Sequence, residues 1–292
     1  MAEWSATGKR VLLTGATDGI GLAAAEALAG RGAQLAIVAR DEAKAARAVA
    51  RIEAAGGNGT TVDVLMADLA SQASVRELAG QVLARYPRLD VLVNNAGAVF
   101  GTRQLTVDGI ERTWALNHLA PFLLTSLLLE RLRQSAPTRV VTTSSDAHKP
   151  SKIPFDDFGA ERSYRGRGFP RYGETKLANI LFTVELARRT DGTGVTANCF
   201  HPGLVASGFN RNNGRFMRSA MTIIRPFSRT PAKGADTLVW LVDSAAVADQ
   251  SGGYFVDRRR ATPSRAGQDV QAARRLWEIS EAQTSASAST SR

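Results

Sequence analysis

Val11-Leu12-Leu13-Thr14-Gly15-Ala16-Thr17-Asp18-Gly19-Ile20-Gly21 is the stretch that decides the fold. Val11 to Leu13 is apolar and reads as a short buried strand. Thr14-Gly15 breaks it at once. From Ile20 onward, Leu22, Ala23, Leu28 and Ala29 recur at helical spacing until Gly30 and Gly32 end the run. A strand, a glycine turn and a helix in that order make a cradle for a phosphate. Glycines let the backbone approach an anion closely, and the helix presents its positive end. The spacing here is G-x3-G-x-G, and an ordinary tight turn is the bland alternative.

Outward from this stretch the pattern repeats. Gln34 to Ala39, Thr60 to Met66, Leu89 to Val93, Arg139 to Thr143, Val195 to Phe200 and Gly253 to Val256 read as strands. Asp41 to Ala55, Ser71 to Arg85, Trp114 to Leu132, Tyr172 to Arg189, Ala232 to Leu241 and Asp269 to Ile279 read as helices. Strands alternating with helices predict an α/β fold of the Rossmann type. The expectation is a doubly wound, seven-stranded, mostly parallel sheet with helices on both faces, in three layers. No linker divides residues 1–281, which are expected to form one domain. Residues 282–292 are mostly Ser, Ala and Thr and are expected to be a disordered tail.

At 44% hydrophobic and 22% charged residues, the chain is excluded from the collagen-like and disordered classes. The single cysteine, Cys199, makes no internal disulfide and fits a reducing, cytoplasmic setting. It reads as a small buried hydrophobe. No run of about 18 apolar residues predicts a membrane span, and Met1 to Arg10 does not resemble a signal peptide. The net charge of +10 comes from scattered arginines, densest at Arg258-Arg259-Arg260. That reads as a solvated surface rather than a nucleic-acid reader, and it leaves weak contact with an anionic membrane surface open.

The second strand ends at Ala39-Arg40. A neutral residue followed by a guanidinium suits a 2′-phosphate, which predicts NADP(H) over NAD(H). Asp41 and Asp18 count against that preference. Asp68 and Leu69, past the third strand, are placed to meet an adenine, unless Asp68 merely caps the next helix. Asn95, Ala96 and Gly97 follow the fourth strand, where small residues admit a cofactor. No cluster calls for a metal.

Tyr172 and Lys176 stand at i and i+4 of one helix and share a face. A nearby ammonium favours a phenolate, so the expectation is a tyrosine with lowered pKa acting as general acid or base on a carbonyl/alcohol pair. An amphipathic surface pair is the bland reading of Tyr-x3-Lys. Ser144-Ser145, Asn117 and His201-Pro202-Gly203 all fall near the carboxyl edge of the sheet, where ligands of such folds bind.

With these residues in place the chain resembles the short-chain dehydrogenase/reductase superfamily, and within it the retinol dehydrogenase and WW-domain oxidoreductase-like branch. The resemblance runs from Gly8 to about Ala282. It is carried by Leu116-Asn117-His118-Leu119-Ala120-Pro121-Phe122-Leu123-Leu124-Thr125, Lys152-Ile153-Pro154-Phe155, Lys176-Leu177-Ala178-Asn179-Ile180-Leu181-Phe182-Thr183 and His201-Pro202-Gly203. It implies catalytic roles for Asn117, Ser145, Tyr172 and Lys176. Tyr172 would be the acid/base, Lys176 would bind the nicotinamide ribose, Ser145 would orient substrate and Asn117 would hold a relay water. It implies cofactor contacts at Gly15, Thr17, Asp18, Gly19, Ile20 and Gly21, at Asn95, Ala96 and Gly97, and at Pro202, Gly203 and Val205. The interval from Ser145 to Tyr172 is longer than in most members. The extra piece, roughly 149–168, is shared by the retinol dehydrogenase-like branch.

Residues 205–230 stand where the family places its substrate loop. Phe209, Phe216, Met217 and Phe227 among arginines suit a lipophilic substrate or docking on a lipid surface, and an ordinary lid that buries its apolar face when closed is the bland alternative. The implied activity is hydride exchange between NADP(H) and a carbonyl or alcohol, EC 1.1.1.-, in a homodimer or homotetramer. The alternative is a non-catalytic dinucleotide-binding regulatory or interaction protein on the same fold.

Overall fold

The computed structural model describes residues 4–205 and 228–285. Strands and helices alternate from the start: β1 (Arg10–Thr14), α1 (Gly19–Ala29), β2 (Gln34–Ala39), α2 (Glu42–Gly56), β3 (Val62–Met66), α3 (Gln72–Arg85) and β4 (Val91–Asn94). The second half adds α4 (Arg112–Trp114), a π-helical turn (Ala115–Leu119), α5 (Ala120–Gln134), β5 (Thr138–Thr143), α6 (Phe169–Arg189), β6 (Val195–His201), α7 (Pro231–Asp243), β7 (Gly253–Val256), β8 (Arg259–Ala261) and α8 (Val270–Ser285).

The sheet order is β3-β2-β1-β4-β5-β6-β7-β8, parallel from β3 to β7. Its direction of winding reverses between β1 and β4, and a ligand crevice opens at such a switch point. Side chains along β1 go alternately to the two faces. Val11 and Leu13 pack with Leu22, Leu28, Ile52 and Leu238 of α1, α2 and α7. Leu12 packs with Leu78, Phe122, Leu128 and Phe182 of α3, α5 and α6. Two apolar cores, one on each side of the sheet, give the three layers. The helices start where caps predict: Asp41 accepts from Lys44 N–H for α2, Ser71 from Ser74 N–H for α3, and Thr230 from Lys233 N–H for α7.

The structure departs from the sequence expectation in three places. The sheet has eight strands rather than seven. Asp257 and Arg258 both take positive φ and turn the chain into β8, antiparallel to β7. A two-residue turn of this kind usually carries Asn-Gly, so the arginine run reads as surface instead. The helix expected over 114–132 extends from Arg112 to Gln134 but is interrupted by the π-helical turn. Finally, α8 runs to Ser285, so 282–285 are helical rather than tail. Thr284 is buried there, and Gln72 and Arg76 donate to the carbonyls of Gln283 and Thr284. Residues 286–292 lie outside the described residues, as does all of the expected substrate loop except its ends, Val205 and Ser228 to Thr230.

Candidate active site

The residues singled out in the sequence gather at the carboxyl ends of β1, β4, β5 and β6. Thr14, the last residue of β1, ties the rim together. Its hydroxyl donates to Val93 O (3.1 Å) and accepts from Asn95 N–H (3.0 Å) and Ala96 N–H (3.1 Å). Asn95 Nδ2 donates to the carbonyls of Thr14 and Gly15, both at 3.2 Å. Gly15 and Gly19 have φ of +70° and +56°. A Cβ on Gly21 would fall 2.1 Å from Gly15 O and 2.5 Å from Asn95 Nδ2, so only glycine fits. Thr17 and Ile20 are half-buried in the same loop, and a Cβ on Gly234 of α7 would meet both Val205 and Ile20.

This cradle suits a dinucleotide. The loop backbone lies bare at the switch point, ahead of the amino end of α1. Beside it a small recess is lined by Thr14, Leu69, Asn94, Ala96, Leu116 and Leu124, among others. The buried Asn94 Oδ1 beside it has no hydrogen-bond partner among the described residues. Arg40 and Asp68 stand together at this end, with Nη1 to Oδ1 at 3.8 Å. Asp68 Oδ1 also accepts from Ala70 N–H, while Ser71 caps α3. The two acids that argued against a 2′-phosphate are both engaged in caps. Asp41 caps α2, and Asp18 accepts from Gly19 N–H at the start of α1.

At the other end, α6 presents Tyr172 and Lys176 one turn apart. Lys176 is buried, and its Nζ donates to Thr143 O (3.0 Å) and sits 5.4 Å from the centre of the Tyr172 ring. A Cβ on Gly97 would come within 3.5 Å of that Nζ. Ser145, half-buried after β5, is hydrogen-bonded to Tyr172 and accepts from Ala147 N–H (3.2 Å). Asn117 lies in the π-helical turn and is buried. Both of its amide hydrogens are used, one to Ala98 O (2.9 Å) and one to Thr175 Oγ1 (3.1 Å), and its Oδ1 accepts from Ala98 N–H (2.9 Å). It thus braces the Gly97 segment against α6. At β6, His201 Nδ1 accepts from Asp146 N–H (3.2 Å). Pro202 is half-buried beside it, and Gly203 has φ +81° with the Arg229 side chain packed against it.

The electrostatics differ from the expectation. Burial pushes the Tyr172 phenol up to about 12, with the Ser145 hydrogen bond pulling the other way. Burial also pushes Lys176 down to about 7. A desolvated amine loses its proton readily, so it is a weaker counter-charge than its spacing implies. The rim also uses residues that the sequence reading passed over: Thr14, Thr175 and the main-chain carbonyl of Thr143. Thr175 was legible inside Tyr-x2-Thr-Lys, but nothing in a sequence marks a carbonyl.

A pH dependence follows. Between about 7 and the ordinary 10.5, the unfolded chain carries a proton on Lys176 that the folded chain lacks. This group therefore makes stability rise with pH from 7. Cys199, pushed up to about 12 from 9.0 by burial, works in the opposite sense above pH 9. Urea unfolding between pH 7 and 9 should show wild-type stability rising relative to Lys176→Met. Parallel profiles would mean that the amine is protonated in the folded protein.

Three kinds of likeness agree with this arrangement. The short chain dehydrogenase family model matches residues 9–217. The chain is 42% identical to mouse "Retinol dehydrogenase 14" over 291 residues, spanning 94% of this chain and 85% of that protein. It is also 42% identical to human "Retinol dehydrogenase 12" over 273 residues, with the same coverage. A short chain dehydrogenase from Burkholderia cenocepacia J2315, solved in complex with NADP, superposes with a TM-score of 0.68 at 27% identity. That match covers 91% of this chain and all 100% of the other. Fold, rim and relatives converge: the chain belongs to the short chain dehydrogenase family, in its retinol dehydrogenase-like branch, and is an oxidoreductase of the kind that interconverts carbonyls and alcohols.

Proposed function

We propose that the chain is an NADP(H)-dependent oxidoreductase acting on a carbonyl or alcohol of a lipophilic small molecule. The observation that carries this reading is the Tyr172 phenol, hydrogen-bonded to Ser145, with Lys176 buried one turn away beside Gly97. The bound nicotinamide supplies or receives the hydride. In reduction Tyr172 donates its proton to the carbonyl oxygen, and in oxidation it takes the alcohol proton. Ser145 holds that oxygen by a hydrogen bond. Lys176, with Nζ between Thr143 O and the Gly97 segment, is placed to hold ribose hydroxyls. Gly15, Thr17, Asp18, Gly19, Ile20 and Gly21 cradle the pyrophosphate. Asp68, Leu69, Asn95 and Ala96 take the adenosine end. Pro202, Gly203 and Val205 flank the nicotinamide.

The lipophilic part of the reading rests on Phe169 and Leu204, which are exposed although apolar and stand next in sequence to the Tyr172 turn and to Gly203. The relatives named as retinol dehydrogenases support it too. Among the described residues no helix is long and apolar enough to cross a membrane. The test is a panel of lipophilic aldehydes, ketones and alcohols followed by nicotinamide absorbance with both cofactors. Turnover with NADPH supports the reading. Tight NADPH binding with no turnover across the panel favours the non-catalytic alternative.

The preference for NADP(H) rests on Arg40. Its guanidinium is exposed next to Asp68, and Asp41 is turned into α2. A hydrogen bond to a charged group contributes about 1.5–3 kcal/mol. Arg40→Ser should therefore weaken NADPH binding about 10- to 100-fold and leave NADH binding unchanged, as read by calorimetry. Equal effects on both cofactors would remove Arg40 from the 2′-phosphate.

A further inference from the structure

Arg171, immediately before Tyr172, is an arginine almost without solvent exposure. Its guanidinium reaches three parts of the molecule. Nε donates to Glu111 Oε2 (2.8 Å), Nη1 to Glu174 Oε2 (2.9 Å), and Nη2 to the carbonyl of Phe158. Its plane also lies 4.9 Å from the Trp114 ring centre. Each contact belongs to an element that bounds the reacting site.

Glu111 is fully buried and caps the helix that carries Asn117. Its two oxygens accept from the N–H groups of Thr113 (2.8 Å) and Trp114 (2.9 Å). Phe158 lies in the 149–168 insertion, which leads directly into the first turn of α6. That insertion is pinned from its other side as well. Tyr164 OH donates to Phe100 O (2.8 Å) and pairs with Thr113 Oγ1 (3.1 Å), and Arg103 Nε donates to Gly159 O (2.7 Å). Glu174 faces Arg171 across the turn that holds Tyr172. A planar fork with donors on several edges is suited to this bridging, and a lysine has no equivalent geometry.

We propose that Arg171 is a positioning residue for Tyr172, locking the helix of Asn117, the helix of Tyr172 and Lys176, and the 149–168 insertion into one frame that limits water at the half-buried Tyr172. The inference rests on the proposed role of Tyr172, but its test needs no turnover. The direct contacts of Arg171 are with Glu111, Glu174 and Phe158 around the Tyr172 turn rather than with the cofactor-binding residues, so cofactor affinity separates loosening at the phenol from general loosening. Burial is what raises the phenol, so a loosened frame admits water and lets it fall toward the ordinary value.

The experiment compares wild type, Arg171→Lys and the double variant Arg171→Met/Glu111→Gln. The double change removes the carboxylate that Arg171→Met alone would leave buried and unpaired. Phenolate absorbance is read within milliseconds of a jump to alkaline pH, before unfolding. The Tyr172 signal is the difference between each protein and its Tyr172→Phe counterpart. NADPH affinity is measured by calorimetry near neutral pH.

The expected result is a midpoint for Tyr172 lower by about one unit in the double variant, with a smaller drop in Arg171→Lys and NADPH affinity within about threefold of wild type. If the double variant does not fold, Arg171→Lys alone decides by the same criterion. An unchanged midpoint overturns the proposal. So does a drop accompanied by a matching loss of NADPH affinity, because that reports general loosening. An inactive substrate panel would sink the proposed activity and leave this result standing.

Discussion

Tyr172→Phe should remove turnover while leaving NADPH bound. A positioned general acid or base contributes about 10²–10⁴-fold, so kcat should fall by that factor. The change deletes one oxygen. Its partner in the structure is the Ser145 hydroxyl, which keeps its contact with Ala147 N–H. The phenol is also held neutral by burial, so its removal leaves no charge stranded in the protein. Stability should therefore change little, and calorimetry should give an NADPH affinity close to wild type. Carbonyl reduction that survives the substitution would take the acid/base role away from Tyr172.

Gly21→Ala should be as damaging, by a different route. The added methyl would sit 2.1 Å from Gly15 O and 2.8 Å from Gly15 C. Those are backbone atoms, and they cannot move without opening the loop. Asn95 Nδ2, at 2.5 Å, would also be displaced, and it is the donor that ties β4 to Thr14 O and Gly15 O. A misplacement of about 1 Å in groups that position a reactant costs on the order of 100-fold in rate, so turnover with NADPH should fall by about that much and NADPH affinity should fall with it. Overpacking should cost about 1–3 kcal/mol of stability besides. Gly80→Ala is the control. Gly80 is exposed inside α3, and a Cβ there meets nothing within 4 Å. That substitution should stabilise the fold by about 0.4–1 kcal/mol and leave cofactor binding alone.

Much of this was legible in the sequence because it is written in local order. Val11 to Gly21 predicted a strand, a turn and a helix, and each lies where the apolar spacing put it. Tyr172 and Lys176 were recognisable as a pair because a helix brings i and i+4 together. Other features depend on atoms far apart in the chain. The spacing of Lys176 suggested a counter-charge for the phenol. The fold instead buries its amine against Thr143 O, and burial outweighs proximity in both groups. Asn117 was expected to hold a relay water; that its side chain also ties Ala98 to Thr175 depends on partners its place in the sequence does not show. β8 was hidden because Asp257-Arg258 makes its turn without glycine and because Arg259 and Arg260 look like plain surface. Their turn is held by ion pairs from Asp257 to Arg229 and from Arg258 to Asp236, partners distant in sequence. Nothing in the sequence marks Arg171, because Glu111, the buried carboxylate it meets, lies 60 residues earlier in the chain.

Hydride transfer itself tests the central claim most directly. NADPH deuterated at the transferring position of its nicotinamide, mixed with the wild-type protein and a lipophilic aldehyde or ketone, should yield an alcohol with deuterium on the former carbonyl carbon, detected by mass spectrometry. The same mixture with the Tyr172→Phe protein should yield essentially none. Deuterium that stays on the cofactor across the whole carbonyl panel, with NADPH demonstrably bound, would contradict the account.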